Sequence, residues 1–347
     1  MTFDEAVQAI NSKPFDGLDE DAMKARFKEL AFALHPDRAP DGRSSEAHES
    51  FQLLTELYAG AGMVGAEVDI HTKRHIYRLG DLAAKGSLAN VYQGTILADP
   101  FVPVLVKMPI EPRDNDLMAA ESRALKFLSE APDAELYQWF FPTLVETFRH
   151  QDAATSIRRQ VNVFEEPDDG DWYTLDAVAY EYVQRVDPKD VAWIFRRILV
   201  ALGNAHSVGL VHGAVTPDNI MVLPDAHGLM LIDWCYSVSQ GEPLTAVVGD
   251  FRHMYPPEAL AKEPVYSHTD IFMAAQVAWA LCTHNKDVPV RLRRFFTAVC
   301  SPNPKARPTN AWDLLAEFDE LIEELWGPRR FHPFSMPPSA KTTTTNP

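Results

Sequence analysis

The sequence predicts an α+β protein in which a short all-helical segment precedes a larger mixed one. Three observations carry this expectation. Apolar residues recur at helical spacing within residues 1–60, short runs rich in β-branched and apolar residues begin near residue 70, and long helical patterns dominate beyond Asp190. At 347 residues the chain has the length of two or three domains. Hydrophobic residues make up 46% and charged residues 23%, enough of each to bury a core and solvate its surface.

In the first segment, Asp19-Glu20-Asp21 puts acids in a first helical turn, and Phe27, Leu30, Ala31 and Leu34 follow on one face. His35-Pro36-Asp37 stops that helix. Ser44 or Ser45 can cap the next, whose stripe is Ala47, Phe51, Leu54 and Tyr58. The stretch Gly60–Ala66 holds three glycines and marks a boundary. Strands are expected at Ile76–Leu82, Asn90–Leu97, Val102–Met108, Arg158–Phe164 and Trp172–Val183, with a helix at Leu117–Ser129. The acidic stretch Glu165–Asp171 reads as a solvated hairpin turn. Helices are expected at Val191–Ser207, Ile271–Cys282, Val290–Val299 and Ala311–Trp326. Residues 327–347, rich in Pro and Thr without apolar period, read as a flexible tail.

Composition excludes several classes. Asp and Glu number 49 against 32 Lys and Arg, a net charge of −17 that disfavours general nucleic-acid binding and a polybasic membrane anchor. No run of about 18 apolar residues is present, so no transmembrane helix is expected. The three cysteines, Cys235, Cys282 and Cys300, form no CxxC pair, which argues against a zinc module or disulfide scaffold and fits a reducing cytoplasm. The start is acidic, unlike a signal peptide, and no internal repeat is found. His206, His253, His268 and His284 have no metal-ligand spacing and read as surface or loop residues, and Cys235 reads as a packed small residue.

Two constellations carry chemistry. The first is His35-Pro36-Asp37 at the tip of two amphipathic helices, with Lys24 and Lys28 flanking it on the preceding helix. Proline stiffens the tip, and His and Asp offer complementary polar groups to a partner. Over residues 1–60, with Phe27-Lys28-Glu29-Leu30-Ala31 and Phe51–Tyr58 at core positions, this resembles the J-domain of the DnaJ co-chaperones. The resemblance implies that His35, Pro36, Asp37, Lys24 and Lys28 engage a DnaK-type ATPase chaperone and stimulate its ATP hydrolysis. The sequence departs from the family in having Ala33 and Leu34 where a basic residue usually precedes the tripeptide, and in lacking a Gly/Phe-rich region and a zinc module.

The second constellation is spread over residues 77–315. Lys107 ends the apolar run Val104-Leu105-Val106, where an amine needs an anionic partner, and Glu121 lies on the next helix. Asn219 follows the His212–Asp218 loop, and Asp233 ends the apolar strand Leu229–Ile232. An amide oxygen and a carboxylate on adjacent hairpin arms are hard ligands suited to Mg²⁺. Pro256-Pro257-Glu258, Thr269-Asp270-Ile271 and Ala306-Arg307-Pro308-Thr309 follow in order. Together these resemble a eukaryotic-type protein kinase domain over residues 72–326, with an N-lobe to about 185 and a C-lobe from about 186, joined to the first segment by a linker at 61–71.

That resemblance implies ATP and Mg²⁺: Gly86, Val91, Lys107 and Glu121 would bind the nucleotide, and Asn219 and Asp233 the metal. Glu258 and Arg307 would form a structural ion pair, and Asp270 would brace the catalytic loop. Three departures bear on activity. The family's His-Arg-Asp reads His212-Gly213-Ala214, which replaces the proton acceptor with a methyl group. Only Gly86 remains of the glycines over the phosphates, and Asp-Phe-Gly reads Asp233-Trp234-Cys235. A co-chaperone and adaptor with an ATP-binding but weak or inactive kinase-like domain is therefore expected, acting on a protein client. The alternatives are an active Ser/Thr protein kinase targeted by its J-domain, with Asp218 as substitute base, a small-molecule phosphotransferase of the aminoglycoside or choline type, and a scaffold in which neither module turns over ATP.

Overall fold

A computed structural model of the chain describes residues 1–337 apart from 19, 35–39, 41, 42, 44, 45, 48, 52, 55, 56, 59–67, 99, 152–155, 168 and 169, and only the backbone of 20, 21 and 24. The architecture is α+β. By contacts the chain divides into two compact units: Met1–Asp81 with Gly94–Val102, and Leu82–Gln93 with Pro103 onward.

The first unit opens with α1 (Phe3–Ile10). Thr2 caps it: its hydroxyl accepts from the Glu5 amide, and Glu5 accepts from the Thr2 amide at 2.7 Å. Helix α2 (Glu20–Leu34) follows, and helical residues recur between Glu46 and Tyr58. Phe3, Ala6, Ile10, Phe15, Leu30, Leu34, Ala47 and Leu54 are buried together, and the Phe27 and Tyr58 rings lie 4.3 Å apart. Helical spacing puts these side chains on facing stripes, so the helices share one apolar core. The unit continues into β1 (Val68–His71) and the first part of β2 (Ile76–Lys85), which pair antiparallel. Residues 68–71 were expected within a linker. Val68 and Ile70 alternate with Asp69, and Asp69 pairs with Arg78 across the strands at 2.9 Å, so the segment is a strand instead. The tripeptide His35-Pro36-Asp37 lies outside the described residues. Lys28 is exposed on α2, and Lys24 is on the same helix.

After β2 come β3 (Ala89–Ile96) and β4 (Val102–Pro109), then α3 (Asn115–Ser129), β5 (Leu144–Gln151) and β6 (Arg158–Glu165). Within the second unit β6 lies between β4 and β5, pairing antiparallel with each. Within the second unit α3 packs on β5 and β6 and buries Met118, Glu121, Leu125 and Leu128. Strand β6 ends at Glu165, and β7 (Tyr173–Thr174) pairs with a later strand in a separate three-stranded sheet, so β6 and β7 do not form the hairpin expected around the acidic stretch Glu165–Asp171.

The expected strand at Trp172–Val183 is a helix for most of its length: α4 (Leu175–Glu181). Thr174 caps it by accepting from the Ala177 amide, and Leu175 and Val178, one turn apart, are the buried positions, while Tyr180 is exposed. A good cap and spacing of three outweigh the β-branched composition. Next come α5 (Pro188–Ser207), β8 (Leu210–Val211), β9 (Ile220–Leu223), β10 (Gly228–Leu231), β11 (Val238–Ser239), α6 (Ser267–Cys282), α7 (Val290–Val299) and α8 (Ala311–Trp326). Helix α5 packs against α6 and α8, and Phe195, Phe296 and Phe318 meet at its core with ring centroids 5.0–6.1 Å apart.

Part of the expected tail also departs from its reading. Phe334 is buried and stacks on Tyr182, Phe331 stacks on His227, and the Tyr182 hydroxyl donates to the Ser335 carbonyl at 2.6 Å. Two phenylalanines suffice to dock a segment that has no periodic pattern. No helix among the described residues is long and apolar enough to cross a membrane.

Candidate functional site

The site lies wholly within the second unit, around a cavity of about 930 Å³. Strand β4 carries Lys107 inward at the end of its apolar run, and α3 presents Glu121 from its buried face. The hairpin of β9 and β10 brings Asn219 and Asp233 to its two ends, closed by the Ile232 amide donating to the Asn219 carbonyl at 2.9 Å. Gly86, Val91, Lys107, Glu121, Asp218, Asn219 and Asp233 all line this cavity.

Lys107 is the centre. Its ammonium donates to Glu121 Oε1 at 2.7 Å and to Asp233 Oδ1 at 2.6 Å, and Cys235 Sγ lies 3.4 Å away. Burial opposes the charge on Lys107, but Asp233 and Glu121 prevail and raise its pKa well above the usual ammonium value. Burial likewise pushes the Asp233 carboxyl up, and the Lys107 ammonium more than reverses this, so Asp233 titrates below its ordinary value. Both stay ionised at neutral pH. Asp233 adopts a left-handed backbone with φ 60°, which aspartate tolerates better than most residues, and so turns the chain sharply into Trp234–Tyr236.

Trp234 and Cys235 occupy the positions where the kinase pattern has Phe-Gly. Trp234 is fully buried: its indole N–H donates to the Leu231 carbonyl at 2.9 Å, and its ring meets Phe141 and His212 edge-on. Cys235 is buried against Met118 of α3. Burial, with the Asp233 and Glu121 charges, raises its thiol well above the usual value, so it is a neutral packing group.

The loop His212–Asn219 is held from below by Asp270, which is wholly buried. Its carboxylate accepts from the amides of His212 at 2.8 Å and Gly213 at 2.9 Å, and lies 3.0 Å from His206 Nε2. His206, expected at the surface, is thus part of this anchor. Gly213 has φ +74°, and a Cβ there would meet Leu244 and the Tyr236 carbonyl at 2.7 Å, so the loop path itself demands glycine. Ala214 is fully buried and does not line the cavity; its carbonyl accepts from the Asn219 amide nitrogen at 3.1 Å. That bond commits the Asn219 nitrogen and leaves its oxygen for another partner. Asp218, one residue earlier, does reach the cavity, where it accepts from the Thr216 hydroxyl, and burial raises its carboxyl pKa.

Gly86 closes the turn between β2 and β3, its amide donating to the Ala89 carbonyl at 3.1 Å. A Cβ at Gly86 would lie 2.6 Å from that oxygen, so this one glycine is required by the turn. Farther away, Arg307 makes a bidentate pair with Glu258, with one contact at 3.1 Å, both side chains being buried.

Sequence reasoning did not single out Asn162. It is fully buried on β6, directly across from Lys107 on β4, and donates to Glu121 Oε2 at 2.9 Å. The available signal was one amide within the apolar run Val161-Asn162-Val163-Phe164.

The donor set fits Mg-ATP: an uncommitted amide oxygen and a carboxylate beside a buried ammonium are groups that bind a divalent cation and phosphate. Comparison with known proteins gives a similarity in keeping with this. The chain is 33% identical over 69 residues to casein kinase II subunit alpha' of Saccharomyces cerevisiae, covering 17% of this chain and 20% of that protein. The chain thus spans about a fifth of that relative's length. No family model matches the chain.

Proposed function

We propose that the second unit is a protein kinase-like domain that binds Mg-ATP and transfers phosphate weakly or not at all, and that residues 1–60 are a J-domain recruiting a DnaK-type chaperone to a client protein. The observation that carries the nucleotide reading is Lys107 held by Glu121 and Asp233 in one cavity with Asn219. In this reading Lys107 binds phosphate, Glu121 orients Lys107, and Asn219 and Asp233 hold the metal, which would draw charge from the phosphates when bound. Millimolar Mg-ATP is expected to raise the melting temperature. A ligand at about 100 times its Kd stabilises by about 2.7 kcal/mol, a readily measured shift. No shift in the presence of magnesium defeats the nucleotide reading.

The adaptor reading draws support from the burial of Ala214 in place of a proton acceptor. A positioned base contributes about 10²–10⁴-fold, so its absence leaves a slow enzyme at best. The J-domain reading draws on His35-Pro36-Asp37 between two helical stripes with a shared core. The purified chain should raise the steady-state ATPase rate of a DnaK-type chaperone, and His35→Gln should remove that effect while leaving the fold intact. Equal stimulation by both proteins overturns it.

One observation favours the active-kinase alternative. Asp218 lines the cavity beside Asn219, its carboxylate oriented by Thr216. There it would take the proton of an acceptor hydroxyl as the oxygen bonds to the γ-phosphorus and the bond to ADP breaks. Its raised pKa means that turnover, if present, should climb as pH rises through that value, because the base must be deprotonated. Asp218→Asn should then reduce turnover about 10²-fold or more with Mg-ATP affinity unchanged. Full turnover in that variant excludes Asp218 as the base.

A further inference from the structure

Nothing in the kinase pattern asks for a polar residue at position 162, yet a buried side chain with three hydrogen bonds stands there, beside the site. Asn162 has no exposed surface. Its amide nitrogen donates to Glu121 Oε2 and to the Met118 carbonyl, both at 2.9 Å. Its oxygen accepts from the Thr147 hydroxyl at 2.7 Å, and Thr147 in turn accepts from Gln160 Nε2 at 2.7 Å. Met118 and Glu121 are one turn apart on α3, while Asn162, Thr147 and Gln160 belong to the paired strands β5 and β6. One amide therefore ties the sheet to two points on the same face of the helix.

A carboxylate has two oxygens, and here each has its own cross-element partner: Oε1 takes Lys107 and Oε2 takes Asn162. With a single partner, Glu121 could rotate about its terminal bond and α3 could slide along the sheet. With both, the helix is fixed in register with Lys107, which sits opposite Asn162 across β4 and β6. The donor must be neutral. A cation would compete with Lys107 for Glu121, and a carboxylate would repel Glu121. Asparagine is the residue of suitable reach that offers N–H groups to Glu121 and a carbonyl to Thr147 at once.

We infer that Asn162 is a positioning residue that locks α3 onto the sheet and so holds Glu121 on Lys107, making the geometry of the phosphate lysine depend on a side chain outside the cavity. The consequence for nucleotide rests on the reading of Lys107 given above; the hold on the helix does not.

The two can be separated because α3 also covers Cys235, whose sulfur lies 3.9 Å from that of Met118. If Asn162 holds the helix, releasing it uncovers Cys235 specifically. Cys282 and Cys300, in the helical part of the unit, serve as internal controls. The experiment is alkylation of the full chain by iodoacetamide, with labelling of each cysteine followed by peptide mass spectrometry, on wild type, Asn162→Asp, Asn162→Ala and Thr147→Val. Mg-ATP affinity is measured on the same preparations. Asn162→Asp keeps the shape but loses the two-hydrogen donor: ionised, it repels Glu121, and protonated, its single O–H cannot serve both Glu121 and the Met118 carbonyl. It should raise the Cys235 rate by about tenfold or more, as expected for loss of a hydrogen bond to a charged group, with Cys282 and Cys300 unchanged. Asn162→Ala should behave similarly and Thr147→Val more weakly, and Mg-ATP affinity should fall in the same order.

A Cys235 rate equal to wild type in both Asn162 variants overturns the proposal. So does a parallel rise at all three cysteines, which would make Asn162 a residue of general stability. Selective Cys235 exposure in a protein whose wild type binds no Mg-ATP upholds the lock and removes only the nucleotide reading.

Discussion

A Lys107→Met chain is expected to lose all of the stabilisation that Mg-ATP confers and, without any nucleotide, about 3 kcal/mol of its own stability at neutral pH. Both effects follow from one arrangement. Lys107 is a buried ammonium between two carboxylates, 2.7 Å from Glu121 and 2.6 Å from Asp233. Methionine keeps most of the volume and removes the charge, which leaves Glu121 and Asp233 facing each other with no cation between them. Two carboxylates sharing a buried site do not both ionise readily, so one should take up a proton that the unfolded chain does not bind until lower pH. The sign is then fixed. A folded-state pKa raised above the unfolded one adds stability as pH falls, so the variant should recover part of its loss on acidification. Wild type should do the opposite: the lowered Asp233 pKa contributes stability that is present above the ordinary aspartate range and is lost as pH falls through the folded value. Urea unfolding from pH 7 down to about pH 2, a range that includes the window below the ordinary aspartate pKa, reads both slopes. A variant with wild-type midpoints at both ends would show that the Lys107 cluster is not coupled to folding.

The second large effect belongs to the buried pair in the helical part. Arg307→Met is expected to cost about 3–5 kcal/mol at pH 7, because it strands the Glu258 carboxylate away from water. The guanidinium does more than neutralise. It donates to the Ser301 carbonyl at 2.6 Å and the Pro302 carbonyl at 3.2 Å, and it lies 4.6 Å from the Phe272 ring centroid. Glu258 would keep the Thr269 hydroxyl at 3.2 Å, a backbone amide and a distant His268 at 3.9 Å, none of which offsets its charge as the guanidinium does. Burial raises the Glu258 carboxyl pKa, and Arg307, together with the backbone and Thr269 hydrogen bonds, more than reverses it, so its contribution is present above the unfolded value and lost as pH falls below about 4.3. Without Arg307 the burial penalty is opposed only by the Thr269 and backbone hydrogen bonds, so the Glu258 carboxyl pKa should rise and acid should relieve the variant. Combining Arg307→Met with Glu258→Leu should restore much of the loss, since an apolar pair leaves no stranded charge. If the single variant unfolds at the wild-type urea concentration, the pair contributes nothing measurable.

What the sequence revealed and what it concealed divide along a physical line. A charge that ends an apolar strand is anomalous in one dimension, and Lys107 and Asp233 announce themselves that way. The stripes Phe27-Leu30-Leu34 and Ala47-Leu54 are likewise set by helical repeat alone, and they are buried together. Asn162 required knowing which strand lies beside which, because its role comes from register with Lys107 and not from its neighbours in sequence. Leu175–Glu181 was concealed for the reverse reason: its composition favours a strand, and a single threonine cap decides otherwise. Asp218 stood next to a candidate metal ligand, and its sequence neighbours do not say where its side chain lies; the short Pro217–Asn219 turn brings both side chains to the cavity. Phe334 has no pattern around it at all, and only the aromatic surface left by Tyr182 and Trp193 gives it a place.

That last contact has a consequence for the order in which the molecule can be completed. A ribosome makes Ser335 153 residues after Tyr182, the residue whose hydroxyl it accepts. Once His227 has been made, the aromatic shelf of Tyr182, Trp193 and His227 is complete but its covering residues, Phe331 and Phe334, are still to come. Long-range closure of this kind comes late in folding, and apolar surface waiting for it is where nascent chains associate wrongly. The segment from Phe331 to Ser335 therefore works as the clasp fastened last, and chains interrupted before it leave synthesis with their aromatic shelf still bare.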